Sequence, residues 1–217
     1  VSTQRLTPAP LPEQQHDPAY SMPSSTYRWP IGWRITGNGD GHSEPFPLQA
    51  GLTILHISHR AQPPSRFLLR LFDNHLDPAA TLADLPRQAT YDGIRACAPS
   101  RAGRYLIGAR TSGVWSVDVS QPPTAELEAE AGRHASGSGD GVAYIRLRPG
   151  EVRFVLSHRQ WTRGRFRVTL TDQACSFTEL LVTAAGSFTG TAVRKIREPG
   201  VYVLIVEAEG DWSVGVS

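Results

Sequence analysis

Two stretches of the chain alternate apolar and polar residues with the period of a strand. Residues 51–58 and 150–157 each begin at a glycine and then place Leu55 and Ile57, or Val152, Phe154 and Leu156, on one side. A period of two sends successive side chains to opposite faces, so one face of each stretch is predicted to be buried. Counting on by two puts His59 and His158 on that inward side, at the end of the same strand. The next alternating runs are Phe67-x-Leu69-x-Leu71-x-Asp73 and Phe166-x-Val168-x-Leu170-x-Asp172, with Arg165, Arg167, Thr169 and Thr171 turned outward in the second. Each half then closes on a predicted hairpin. Tyr105-x-Ile107 is joined through Ser112-Gly113 to Trp115-x-Val117-x-Val119, and Tyr202-x-Leu204-x-Val206 through Glu209-Gly210-Asp211 to Trp212-x-Val214-x-Val216. Trp115 and Trp212 share the parity of the core valines and are predicted to be core.

These paired runs belong to a duplication. Gly37-Asn38-Gly39-Asp40-Gly41 returns 100 positions later as Gly137-Ser138-Gly139-Asp140-Gly141, and Ser58-His59-Arg60 returns 99 later as Ser157-His158-Arg159. Gly103-x-Tyr105 and Trp115-Ser116-Val117 return 97 later as Gly200-x-Tyr202 and Trp212-Ser213-Val214. A module repeated at this period predicts two domains built alike. The expected division is a Pro-rich arm over 1–30, a first module over 31–120 and a second over 121–217.

Between the second strand and the closing hairpin, each module has a less regular section. Residues 78–86, with a proline at each end, could hold one helical turn, and Tyr91-Asp92-Gly93 and Phe188-Thr189-Gly190 read as aromatic-x-Gly turns. Between the modules, Pro122-Pro123 precedes Glu126, Glu128 and Glu130. Glutamates two apart suit the solvent face of a strand, so this piece is expected to open module two.

Composition supports an all-β reading. Forty per cent apolar residues with 20 Gly and 17 Pro describe a turn-rich chain, and no run shows helical periodicity. The net charge of +2, from 22 basic and 20 acidic residues, is too balanced to imply bulk attraction to nucleic acid or a membrane surface. No segment approaches the roughly 18 consecutive apolar residues of a membrane span, so direct insertion as a helix is not expected. The start at Val1, followed by Pro8, Pro10 and Pro12, resembles a mature N-terminus after removal of a signal peptide, and a trimmed chain would look the same. Cys97 and Cys175 fall at positions the duplication does not equate. In a secreted protein two cysteines usually pair, and such a bridge would contribute on the order of 4 kcal/mol by constraining the unfolded chain.

Candidate chemistry is sparse. The Gly-x-Gly-Asp-Gly stretch suggests a phosphate cradle or a calcium loop, yet no helix follows it and one Asp per copy is too few oxygen ligands. It reads as a turn that uses positive φ at glycine. Ser58 and Ser157 precede their histidines by one residue and therefore point away from them, which excludes a nucleophile–base pair. His42, His56, His59 and His158 are the candidate metal ligands, but His56 and His59 lie three apart on a strand, on opposite faces, and no His-x-His pair exists. No cofactor is implied. Trp29 and Trp33 form either an exposed aromatic platform or a cap on a core. Arg159, Arg163 and Arg165, with Trp161 in the same connection, form either a surface for anionic groups or an ordinary solvated face.

The whole pattern, Gly-x-Gly-Asp, His, Phe-x-Val-x-Leu-x-Asp, Gly-x-Tyr and Gly-x-Trp-x-Val, resembles a tandem module of bacterial secreted and cell-envelope proteins. The resemblance covers residues 35–217 and implies β-sandwiches, jelly-roll-like, with no assigned reaction. The expectation is a non-enzymatic secreted or envelope protein, a structural or protein-binding subunit of a surface assembly. Its expected partners are other envelope proteins or surface glycans, and not nucleic acid. Carbohydrate binding and metal binding are the alternatives.

Overall fold

The computed structural model describes residues 2–4, 6–7, 32–160 and 164–217. The chain falls into two compact units that divide between Pro122 and Pro123. Unit 1 holds β1 (Ser2–Gln4), β2 (Leu6–Thr7), β3 (Trp33–Asn38), β4 (Gly41–Ser43), β5 (Phe46–Leu48), β6 (Thr53–Asp73), β7 (Pro78–Cys97), β8 (Gly103–Arg110) and β9 (Val114–Ser120). Unit 2 holds one helix, α1 (Thr124–Glu130), then β10 (His134–Ser138), β11 (Gly141–Leu147), β12 (Gly150–Arg159), β13 (Arg165–Asp172), β14 (Thr178–Ala185), β15 (Phe188–Ile196), β16 (Gly200–Ala208) and β17 (Asp211–Val216).

Unit 2 is a jelly roll. Its two four-stranded sheets run β10-β17-β12-β15 and β11-β16-β13-β14, so consecutive strands alternate between layers except for the antiparallel pair β13 and β14, and the edges of each sheet are distant in sequence. The core between the layers is drawn from the inward parity of every strand, with Phe154, Phe166, Val168, Leu170, Leu204, Val206 and Val214 fully buried. Unit 1 repeats this arrangement with β1 and β2 added, with β4 and β5 in the place of β11, and with one difference in how its layers are joined. β6 and β7 each run through both layers: residues 53–60 pair with 90–97 and with β9, while residues 67–73 pair with 78–85 and with β8. Register shifts between Arg60 and Phe67 mark the bend that carries the pair from one layer to the other. The fold is thus all-β, two tandem β-sandwich modules.

Four expectations are corrected. First, residues 105–107 and 115–119 are not arms of a hairpin, nor are their counterparts in unit 2. β8 pairs with β4, β5 and β6, β9 pairs with β3 and β6, and β16 and β17 lie in separate sheets. The turn at Ser112-Gly113 crosses between layers, as does the one at Gly210. Second, residues 78–86 form no helical turn. They are the first half of β7, which tolerates Pro78 at its first position and Pro86 near a register shift, where a ladder N–H is not required. Tyr91-Asp92-Gly93 and Phe188-Thr189-Gly190 likewise lie inside β7 and β15.

Third, the glutamate run is helical. Pro123 supplies the extended N-cap at φ −67°, Glu126 sits in the first turn where the helix dipole favours it, and Leu127 alone turns into the protein. The first strand of unit 2 is instead β10. Fourth, Cys97 and Cys175 form no disulfide. Each is satisfied within its own unit: Cys97, the last residue of β7, packs against the unit 1 core, and Cys175 sits in the turn after β13 at φ 52°. Burial pushes the Cys175 thiol pKa up. At the N-terminus β1 runs parallel to β4 and β2 antiparallel to β3, and the rest of the arm over 1–30 lies outside the described residues.

Candidate functional site

The repeated motifs are consumed by the fold. Gly39 and Gly139 take φ 73° and 72°, and their N–H groups donate to the carbonyls of Gly113 and Gly210. The following aspartates each cap a strand in the other layer: Asp40 Oδ1 accepts from Thr111 N–H (2.7 Å) and Asp140 Oδ1 from Ala208 N–H (2.9 Å). Trp115 and Trp212 donate Nε1–H to the carbonyls of Gly39 and Gly139, and Tyr105 and Tyr202 donate to carbonyls four residues earlier. The glycine turn is structural in both copies.

The two inward histidines are structural as well. His59 stacks on Phe67 and its Nε2 is 2.7 Å from Thr111 Oγ1; His158 stacks on Phe166 and its Nδ1 is 2.7 Å from the Gly186 carbonyl. Burial lowers the pKa of His59. His56 turns outward, where Nε2 lies 2.9 Å from Asp92 Oδ1. Among the described residues no three His, Cys, Asp or Glu side chains converge on one point.

Of the residues singled out for binding, Trp29, Trp161 and Arg163 lie outside the described residues. Trp33 is half-buried at the start of β3, its ring 6.2 Å from that of Phe46 at the margin of the unit 1 core. Arg159 is exposed at the end of β12, opposite Asp211. Arg165 begins β13 and pairs with Glu207 of β16 at 2.7 Å, and Arg167 approaches the same carboxylate at 3.9 Å. The arginine-bearing strand face therefore carries its own counter-charge.

A hollow with a different lining lies elsewhere. A groove of about 700 Å³ crosses the outward face of β3, β9, β6 and β7. Strand register sets its side chains in rows: Thr36, Ser116, Ser58 and Asp92 lie side by side, and Asn38, Val114, Arg60 and Thr90 form the next row. Ser58 and Ser116 are hydrogen-bonded at 2.8 Å, which leaves Thr36 and Asp92 exposed at the two ends. Unit 2 has the same first row, as Ser136, Ser213, Ser157 and Thr189, with Ser157 and Ser213 2.7 Å apart. Such a row presents donors and acceptors at strand spacing, about 4.8 Å. Reading motifs missed it because its members come from four separate strands. The available signal was the polar residue beside each repeated motif residue: Ser58 and Ser157 before the histidines, Ser116 and Ser213 after the tryptophans.

No protein family and no curated protein matches the chain. Among solved structures it is similar to the N-terminal CBM22-1-CBM22-2 tandem domain of Xyn10C from Paenibacillus barcinonensis, at 7% identity and a TM-score of 0.26 over 85% of this chain and 86% of that one. It is also similar to the PBSX exported protein XepA, at 12% identity and a TM-score of 0.26 over 85% of this chain and 84% of that one. A xanthan lyase from Paenibacillus gives 11% identity and a TM-score of 0.26 over 97% of this chain, but only 25% of the lyase. These likenesses are remote.

Proposed function

We propose that the chain is a non-catalytic, exported binding protein that takes a neutral, polyhydroxylated ligand, a glycan, in the groove of unit 1. The observation that supports this reading is the row Thr36–Ser116–Ser58–Asp92, repeated at equivalent positions in unit 2. Hydroxyl and carboxylate groups at strand spacing can exchange hydrogen bonds with successive sugar hydroxyls. Val114, 51% exposed in the same groove, offers apolar surface to a sugar ring.

The test is affinity electrophoresis and a glycan array with the wild-type chain and with the double variant Asn38→Ala/Arg60→Ala, both exposed positions. Retardation by a neutral polysaccharide, weakened at least about tenfold in the variant at unchanged melting temperature, supports the reading. A blank array, or binding indifferent to the variant, removes it.

A second reading, a protein-binding subunit of a surface assembly, is favoured by unit 2. There Val155 and Val193 stand on the outward face of β12 and β15, 44% and 41% exposed. Native electrophoresis of an envelope extract, with identification of what co-migrates, tests it; a free monomer speaks against it.

A further inference from the structure

The duplication offers an internal control. A cluster confined to one unit is not required to build the sandwich that both units share. One such cluster lies on the second layer of unit 1, the layer opposite the hydroxyl-lined groove.

There a hollow of about 520 Å³ is lined by Asp40, His42, Arg70, Phe72, Gly108 and Arg110, among others. Register places His42, Gly108 and Arg70 side by side on β4, β8 and β6. Gly108 has no side chain to fill the row, and the rings of His42 and Phe72 meet over it, 6.2 Å apart and inclined at 64°. A Cβ on Gly108 would lie 2.7 Å from Phe72 Cε2 and 3.0 Å from His42 Cδ2, so this arrangement requires glycine.

In unit 2 the same row reads Val142, Ile205 and Thr169. The position of Phe72 is taken by Thr171, and that of Arg110 by Glu207, which there holds Arg165 and Arg167 in ion pairs. Unit 1 has exchanged an acid for a base at this point. The sandwich is built in both cases, so neither the floor of rings nor the two arginines is required to build it.

The electrostatics of the hollow are one-sided. Asp40 is its acidic member, and one oxygen of that carboxylate is engaged by Thr111 N–H. Arg110 is exposed. Arg70 is part-buried, and its Nε–H is shielded from solvent with no hydrogen-bond partner among the described residues. A buried donor left unpaired is destabilising, and an oxyanion acceptor would relieve it. Guanidinium groups present a planar fork that fits an oxyanion in bidentate fashion.

We propose that this hollow binds an anionic group, a carboxylate, sulfate ester or phosphate ester, carried on a ring. Arg70 and Arg110 hold the oxyanion, and the His42–Phe72 floor over Gly108 packs against the ring. The groove on the other layer takes no part.

The experiment is titration of the isotope-labelled full chain, following the backbone amides of Gly108, Ala109 and Arg110 by NMR. Phenyl phosphate, phenyl sulfate and methyl glucuronide represent the three anions. Methyl glucoside supplies a ring without charge, and inorganic phosphate a charge without a ring. Saturable shifts at these amides with one or more of the three ring-borne anions are expected, and which of them binds identifies the anion. Binding should be at least about tenfold weaker for methyl glucoside and for inorganic phosphate. It should also weaken at least about tenfold in Arg110→Gln, an exposed position that leaves the fold intact, and in Arg70→Gln at a melting temperature checked alongside. No saturable shift with any ring-borne anion overturns the proposal, as does equal binding of methyl glucoside or an affinity unchanged in both variants. Inorganic phosphate binding as tightly as the ring-borne anions would overturn the role given to the His42–Phe72 floor.

Discussion

His59 lies flat on Phe67, with ring centroids 4.1 Å apart and planes within 9° of parallel. Its Nε2 meets Thr111 Oγ1, its Nδ1 is buried without a hydrogen-bond partner among the described residues, and burial lowers its pKa. The imidazole is therefore held neutral. A folded-state pKa below the unfolded value, near 6.5, means that the unfolded chain binds the proton more readily. The stability this residue contributes is complete above that value and is lost as the pH falls through it towards the folded-state pKa. Thermal melts of wild type and His59→Phe between pH 7.5 and 5 should show the wild type losing ground to the variant in acid. A constant difference across that range would contradict the assignment.

Trp212 covers Gly137 and donates to the Gly139 carbonyl at 2.9 Å. Trp212→Phe should lower unfolding free energy by about 1–2 kcal/mol through the lost hydrogen bond. Gly137→Ala, whose Cβ would stand 2.7 Å from Trp212 Cζ2, should cost about 1–3 kcal/mol by overpacking. Urea unfolding curves followed by tryptophan fluorescence measure both.

Asp40 and Asp140 cap backbone N–H groups. Asp140→Ala should destabilise unit 2 by about 1–3 kcal/mol, the cost of an orphaned donor. Calcium or EDTA should leave the wild-type melting temperature where it was. A calcium-dependent rise would restore the cation-loop reading.

Cys97 and Cys175 are both thiols, so a reductant should not shift the melting temperature, and a thiol count in denaturant should return two. Native Cys175, its pKa raised by burial, should alkylate more slowly at pH 8 than a free thiol of ordinary pKa. Mass spectrometry of iodoacetamide-treated protein over time checks it.

The strand parity was legible along β12 because two-residue alternation leaves little freedom once one face is buried; along β13 it misled, for Thr169 and Thr171, expected outward, are both buried beyond the register shift at Val168. Val152, Phe154, Leu156 and His158 are all buried, and Glu151, Arg153, Val155 and Arg159 are all exposed, as counting along β12 requires. The turn at Gly39 was legible from chemistry alone. What a strand pairs with was not. A short turn such as Ser112-Gly113 joins neighbours in one sheet or crosses between two, and only the register of β6 against both β8 and β9 decides. Glu126 to Glu130 misled because a two-residue spacing counts as a strand face only when the intervening residues are buried, and Leu127 alone is. The groove and the ring-floored hollow were hidden for a common reason. Each collects residues from at least three strands, and the residue that opens the hollow, Gly108, is informative only when compared with Ile205.

In unit 1 β6 and β7 each pass from one layer to the other, paired through register shifts at the bend, whereas in unit 2 β12 and β13, like β14 and β15, belong to separate sheets. Layers that share strands cannot slide past each other or separate while those strands stay paired. Under mechanical load unit 1 should give way in a single step, and unit 2, whose two sheets share no strand among the described residues, should shear apart along its core before its sheets unravel.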